Sequence, residues 1–301
     1  MKPTMQLRRL LSLDGPLLVP GAYDGASARV VAALGHGAVY LTGFGMEASI
    51  LGMPDIGLAS QAEIVTHAGN IAAAVPKIPV ISDADTGYGG LTNIHRTVRG
   101  FERAGIAGIH IEDQSLPKRC GGMAGRQVVP RAEMIARLHA ALAARQDPDF
   151  VIIARTDAKL EHGLDDVIAR LNGYFKAGAD MAMIAEPFEV SELHRLCAEL
   201  DGPLAMVGGV PEWPESMLSG DELGELGVKL VLYACTGLGA ALKAQMAVYG
   251  DLLNHGRLGP ASEAACMSLE DLSELMGLSA WTAIEAKAQG GPHRDHRRLQ
   301  G

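Results

Sequence analysis

Aromatic residues are scarce in this 301-residue chain, at 4%, with two Trp among them. Cysteine is scarce too. Cys120, Cys197, Cys235 and Cys266 form no C-x-x-C pair, and the start "MKPTMQLRRLLSLDGP" lacks the apolar stretch of a secretory signal. Together these point to a reducing, cytoplasmic compartment. Basic charge is in deficit, with a net charge of −9. No basic stripe is available to neutralise phosphates, which argues against nucleic acid as a partner. The one basic cluster, "HRDHRRLQG", reads as a solvated terminus. No apolar run approaches 18 residues, so no membrane span is expected. Nor does a G-x-G-x-x-G follow the first strand-like run, where the chain reads "GAYDGAS".

What the chain does have is glycine, 37 residues, and a hydrophobic fraction of 48%. Short apolar runs recur along its whole length: 17–24, 38–45, 78–87, 108–113, 150–158, 181–187, 203–209 and 228–237. Amphipathic stretches such as "NIHRTVRGFERAG" and "GLDDVIARLNGYFKAG" separate them, several closing on "AG" or "LG" before the next run. Apolar strands alternating with amphipathic helices mean parallel strands with crossovers. Eight units without a break in composition predict a single α/β domain, a (β/α)8 TIM-type barrel. An open doubly wound sheet is the alternative. Residues 238–257 and 268–289 read as further helices, the latter with Ser268 as N-cap. They exceed what closes one barrel, so 238–290 is expected to form a C-terminal helical arm that packs on another subunit.

The charges on these runs sort to one end. In a barrel the strand C-termini form the active-site face, and there the sequence puts Tyr40, Thr42, Asp83, Asp85, Glu112, Asp113, Arg155, Asp157 and Glu186. On a strand, residues i and i+2 share a face, so Asp83 and Asp85 are expected as neighbours. Like charges that close require solvent, a shared proton or a cation. A solvated acidic turn is the plainer reading, but scattered surface charges do not gather at one end of every strand. Oxygen ligands without histidine select a hard ion, Mg²⁺ or Mn²⁺, over zinc. His110 precedes the carboxylates and reads as a packed strand residue. After the fourth run, "EDQSLPKRCGGMAGRQVVP" sets Lys118 and Arg119 before Cys120. Two cations beside a thiol predict a lowered pKa, and the glycines around Met123 predict a loop that moves. Cys197, Cys235 and Cys266 read as core.

The stretches "GAYDGASA", "YLTGFG", "LGMPDIGL", "DADTGYGG", "IEDQSLPKRCGG", "ARTDA" and "KAGAD" resemble the isocitrate lyase / phosphoenolpyruvate mutase superfamily, over roughly residues 15 to 290. The pairing of "DADTGYGG" with "KRCG" is closest to its lyase branch. That resemblance implies a barrel, often tetrameric, with its last helices swapped between subunits. It implies Mg²⁺ held by Asp83, Asp85, Asp55 and Glu112. It implies a small carboxylate substrate bound by the backbone around Thr42, Gly43 and Phe44 and by Arg155. Tyr40, Gly121, Gly122 and Glu186 complete the expected binding set. Cys120, flanked by Lys118 and Arg119, becomes the acid/base on a gating loop.

The implied reaction is retro-aldol cleavage of a substituted malate to an α-keto acid and a second carboxylate. Hydrolysis or decarboxylation of an oxaloacetate-like β-keto acid is the alternative on the same scaffold, and a non-catalytic binding relative is a third. Two departures bear on the substrate. Gly122 stands where the lyase signature has His. The segment "AMVGGVPEWPES" lacks the Asn and Thr that hold the far carboxylates of tricarboxylates. Both point to a smaller or more apolar malate-like acid.

Overall fold

The computed structural model describes residues 1–289; the basic tail singled out above lies outside them. Eight strands form one closed, all-parallel barrel in chain order. They are β1 (Leu17–Ala22), β2 (Val39–Leu41), β3 (Val80–Asp83), β4 (Gly108–Glu112), β5 (Val151–Thr156), β6 (Met181–Ile184), β7 (Leu204–Val207) and β8 (Val228–Tyr233). The eight apolar runs contain these strands. Each run overshoots its strand at the C-terminal side, because the polar residues there belong to the loops over the barrel mouth. The open-sheet alternative is excluded by the pairing of β1 with β8.

The strand pleat sorts every side chain. Tyr40, Ile81, Ile153, Met183, Leu230 and Leu232 pack together as one buried cluster inside the barrel. Val39, Leu41, Val80, Ile109, Ile111, Ile152 and Ile184 belong to the larger buried cluster that the surrounding helices share. Parity then fixes the mouth. Counting by twos, Ile81 leads to Asp83, Gly108 to His110 and Glu112, and Ile153 to Arg155, all inward. Asp113 has the other parity and faces the helix layer. Its carboxylate accepts from Thr156 Oγ1 at 2.6 Å and Tyr174 Oη at 2.8 Å, with Arg170 at 3.2 Å.

Local chemistry sets the helix starts. Asp24 and Ser27 cap Gly25–Ala33 reciprocally, as do Ser60 and Glu63 for Gln61–Ala74 and Ser219 and Glu222 for Gly220–Leu226. The chain divides into two compact units, Met1–Gly239 and Ala240–Gly301. The first holds the barrel. In the described part of the second, Ser268 caps Leu269–Leu275 and a left-handed Gly277 separates it from Leu278–Ala288. This unit carries exposed apolar side chains, among them Met246, Leu253, Leu269 and Trp281. Among the described residues no helix is long and apolar enough to cross a membrane.

Candidate active site

A cleft of about 430 Å³ opens at the C-terminal mouth of the barrel. Tyr40, Thr42, Phe44, Asp55, Asp83, Cys120, Gly121, Gly122 and Arg155 line it, Phe44 from the helix Gly43–Leu51, Asp55 from the loop after that helix and the rest from the strands or the loops that follow them. Strand register brings the charged ones together. Asp83 pairs with His110 across β3 and β4, and Glu112 with Arg155 across β4 and β5.

Asp83 and Asp85 are neighbours for a reason other than strand alternation. β3 ends at Asp83, and Asp85 takes a left-handed backbone (φ 47°). The Asp85 amide donates to Asp83 Oδ1 at 2.9 Å, so one carboxylate caps the turn that presents the next. Asp55 comes from the loop after the helix Gly43–Leu51. Buried Glu47 holds that loop by accepting from the Ile56 and Ala59 amides at 3.2 and 3.0 Å.

Lys118 is buried among these groups. Its ammonium contacts Asp55 Oδ1 and lies 2.6 Å from Asp85 Oδ1. Arg155 is buried as well, 3.2 Å from Glu112 Oε2 and gripped by Asp157 at 2.9 Å. Burial pushes Asp85 up to about 7 in spite of Lys118, with Asp83 and Asp55 adding to the rise. It pushes Glu112 well above the usual carboxylate range.

Tyr40 and His110 are buried and meet through Oη and Nε2 at 2.8 Å, with His110 Nδ1 3.5 Å from Asp83 Oδ1. Burial drives His110 down to about 4, so its ring is neutral, and drives Tyr40 up, so its phenol keeps its proton. Two residues beyond Tyr40, Thr42 caps the helix Gly43–Leu51 and accepts from the Gly45 amide at 3.5 Å. The helix N-terminus, a ready site for a carboxylate, therefore faces the cleft. A Cβ at Gly43 would lie 2.5 Å from Asp83 Oδ2, so only glycine lets the helix approach this closely.

The Cys120 loop is seated over the cleft. The Cys120 amide donates to the Asp55 carbonyl at 3.1 Å. Gln114 accepts from the Arg119 amide and donates to its carbonyl, both at 2.9 Å. Arg126 donates to the carbonyls of Gly121 and Met123 and pairs with Glu186 Oε1 at 2.5 Å.

Three expectations are corrected by this arrangement. The flanking cations do not lower the Cys120 thiol. Lys118 turns to the carboxylates and Arg119 to solvent, while burial, with Asp55, pushes Cys120 up to about 11. Glu186 does not line the cleft. Its parity on β6 is outward, and it receives Arg126 and the Lys159 and Leu160 amides. Of the cysteines read as core, Cys235 lines the cleft, its Sγ 3.9 Å from Thr42 Oγ1, and Cys266 is exposed. His110, Trp213 and Cys235 were not singled out as site residues. Parity with Glu112 was the available signal for His110.

The model of the phosphoenolpyruvate phosphomutase family matches residues 7–253. The chain is 37% identical to 2,3-dimethylmalate lyase of Eubacterium barkeri, over 95% of this chain and 98% of that one. The chain belongs to the phosphoenolpyruvate mutase/isocitrate lyase superfamily. It is an enzyme of the superfamily's lyase kind. Its fold matches oxaloacetate acetylhydrolase in complex with 3,3-difluorooxalacetate, with a TM-score of 0.90 and 34% identity over 98% of this chain and 100% of that one. It also matches phosphonopyruvate hydrolase in complex with oxalate and Mg²⁺, with a TM-score of 0.85 and 28% identity over 96% and 100%.

The superfamily implies a divalent ion, and the residues here fit one. Among the described residues no three His, Cys, Asp or Glu side chains form a ready-made cage. Mg²⁺ does not need one, since it keeps several waters and takes one or two carboxylates plus substrate. The donors present are hard carboxylate oxygens, and Glu112 Oε1 is buried without a hydrogen-bond partner. A cation among them reverses the rise that burial imposes on Asp85 and Glu112.

Proposed function

We propose that this enzyme is a Mg²⁺-dependent carbon–carbon lyase that splits a substituted malate into an α-keto acid and a second carboxylate. One observation carries the reading. The Cys120 thiol, the buried Arg155 guanidinium and the buried carboxylates of Asp55 and Asp83 share one cleft whose remaining wall, from Val207 to Cys235, is largely apolar. Asp55, Asp83, Asp85 and Glu112 would hold the ion, in part through water. When bound, the ion supplies Lewis-acid stabilisation for the substrate's 2-oxygen.

The chain's own groups account for the rest. Arg155, fixed by Asp157, binds a substrate carboxylate. The amides of Gly43 and Phe44 at the helix N-terminus take another. Tyr40 donates from a phenol that stays protonated. As the bond between C2 and C3 breaks, the 2-hydroxyl gives its proton to a carboxylate lining the cleft, the O–H electrons left on the 2-oxygen form the carbonyl, and the bonding pair remains on C3. Cys120 then hands its proton to C3. A thiol near 11 is suited to that direction, since it arrives protonated. The Arg126–Glu186 pair keeps the loop closed and water out while the carbanion exists.

The likeness to oxaloacetate acetylhydrolase, also solved with its product oxalate, favours a second reading, hydrolysis of a β-keto diacid to oxalate. Incubation with a panel of alkylmalates and oxaloacetate separates the two. A 2-oxo acid from the alkylmalates, pyruvate from those with a 2-methyl group, supports the lyase; oxalate from oxaloacetate as the main product replaces it with the hydrolase. We further propose a cytoplasmic homo-oligomer, most simply a tetramer. The single barrel domain extends through a helical arm from about residue 238, whose exposed apolar side chains (Met246, Leu253, Leu269, Trp281) suit contact with another subunit.

A further inference from the structure

We infer that Trp213 is the residue that selects the substituent on C3 of the substrate, closing an apolar subsite over Gly122. The inference rests on the lyase reading above and adds the part of the substrate that the metal and Arg155 do not touch.

The loop after β7 is built to bring Trp213 back over the mouth. Gly209 has a left-handed backbone (φ 68°), and a Cβ there would lie 2.6 Å from the Tyr233 ring, so the tight return requires glycine. The Trp213 amide then donates to the Val210 carbonyl at 2.9 Å, and the Ser216 hydroxyl accepts from the Val210 amide at 3.0 Å. Held this way, Val210, Trp213 and Ala234 continue the apolar cluster of the barrel interior up into the cleft wall. The indole reaches across to the gating loop. Its Cζ2 lies 4.0 Å from where a Cβ at Gly122 would stand, an ordinary van der Waals contact. A residue larger than Ala at 122 would have to displace it. The indole therefore occupies the region into which a side chain at position 122 would project.

Charge points the same way. Among the described residues Arg155 is the one cation lining the cleft, and Glu212 is the charged residue at the Trp213 end. A third carboxylate there meets a like charge and an apolar face. An alkyl group on C3 meets Trp213, Val207, Val210 and Ala234, and loses only its contact with water.

The test measures pyruvate release, with Mg²⁺, from 2-methylmalate and 2,3-dimethylmalate, which differ by the one methyl on C3. In the natural enzyme kcat/KM is expected to favour the dimethyl acid by about 10-fold or more, the range for one methylene in an apolar pocket. W213A should shrink that preference to within about 3-fold, and W213F should keep most of it. An unchanged preference in W213A, with pyruvate still formed, overturns the inference but leaves the lyase reading standing. If no acid yields pyruvate, the subsite is tested by binding alone. With Trp281→Phe, Trp213 is the only indole. Its emission is titrated with methylsuccinate and with succinate, neither of which has a hydroxyl to react. Tighter binding of methylsuccinate with a change in emission upholds the subsite; equal affinities or silent emission refute it.

Discussion

Gly121→Ala gives the sharpest test of how the Cys120 loop seats. A Cβ at Gly121 would collide with the Ala185 carbonyl oxygen and lie 3.0 Å from Arg155 Nη2. The first obstacle is backbone at the end of β6, which cannot swing aside. The loop must lift instead, by roughly an ångström, and Cys120 lifts with it. Misplacement of that size costs about 10²-fold in rate. Lifting also strains the Arg126 hydrogen bonds to the Gly121 and Met123 carbonyls. The barrel itself does not depend on the loop, so the melting temperature should move by no more than a few degrees. Gly122→Ala is the matched control, because its Cβ meets nothing closer than Trp213 at 4.0 Å. Steady-state kinetics on a cleaved alkylmalate, with thermal melts of both variants, make the comparison. A kcat within about 3-fold of the natural enzyme in Gly121→Ala would refute the seating described here.

Four other perturbations have definite expected outcomes. EDTA should abolish turnover and added Mg²⁺ or Mn²⁺ restore it, while Asp85→Ala should not be rescued by the ion; full activity in excess EDTA removes the metal from the account. Cys120→Ser should lower kcat by about 10²–10⁴-fold, as for loss of a general acid, and full activity takes Cys120 out of the reaction. Because its thiol is held up near 11 by burial, limited alkylation of the free enzyme at pH 7 should leave Cys120 largely unlabelled, which mass spectrometry reads; rapid labelling of Cys120 contradicts its burial. Removing residues 262–289 should convert the oligomer to monomer or insoluble protein, and light scattering that finds the intact chain monomeric counts against the assembly.

Much of the barrel was legible because each layer of it has a period. Eight apolar runs closed by polar residues imply eight parallel strands, and β4 or β5 needs no more than a count by twos to point Glu112 and Arg155 inward. The same count, carried through consistently, would have sent Asp113 and Glu186 outward and brought His110 into the site. Other features were not legible because they depend on contacts distant in sequence. Lys118 and Arg119 adjoin Cys120 in the chain, yet side chains on an extended loop alternate, and the carboxylates of Asp55 and Asp85 capture Lys118. Asp83 and Asp85 do come together, through a left-handed turn rather than a continuing strand. Trp213 stands in "AMVGGVPEWPES", a segment whose sequence stands out only for its missing Asn and Thr; only the fold of the Gly209 turn shows the indole against Gly122.

The central claim is that the bond between C2 and C3 of an alkylmalate breaks and that C3 is protonated within the closed site. The most direct measurement is the reaction of 2,3-dimethylmalate with the Mg²⁺-loaded enzyme in D₂O, followed by NMR. The account predicts pyruvate and propionate in equal amounts, with a single deuterium on C2 of the propionate, delivered from the exchanged thiol. No 2-oxo acid from this or any other alkylmalate, with oxalate formed from oxaloacetate instead, would contradict it.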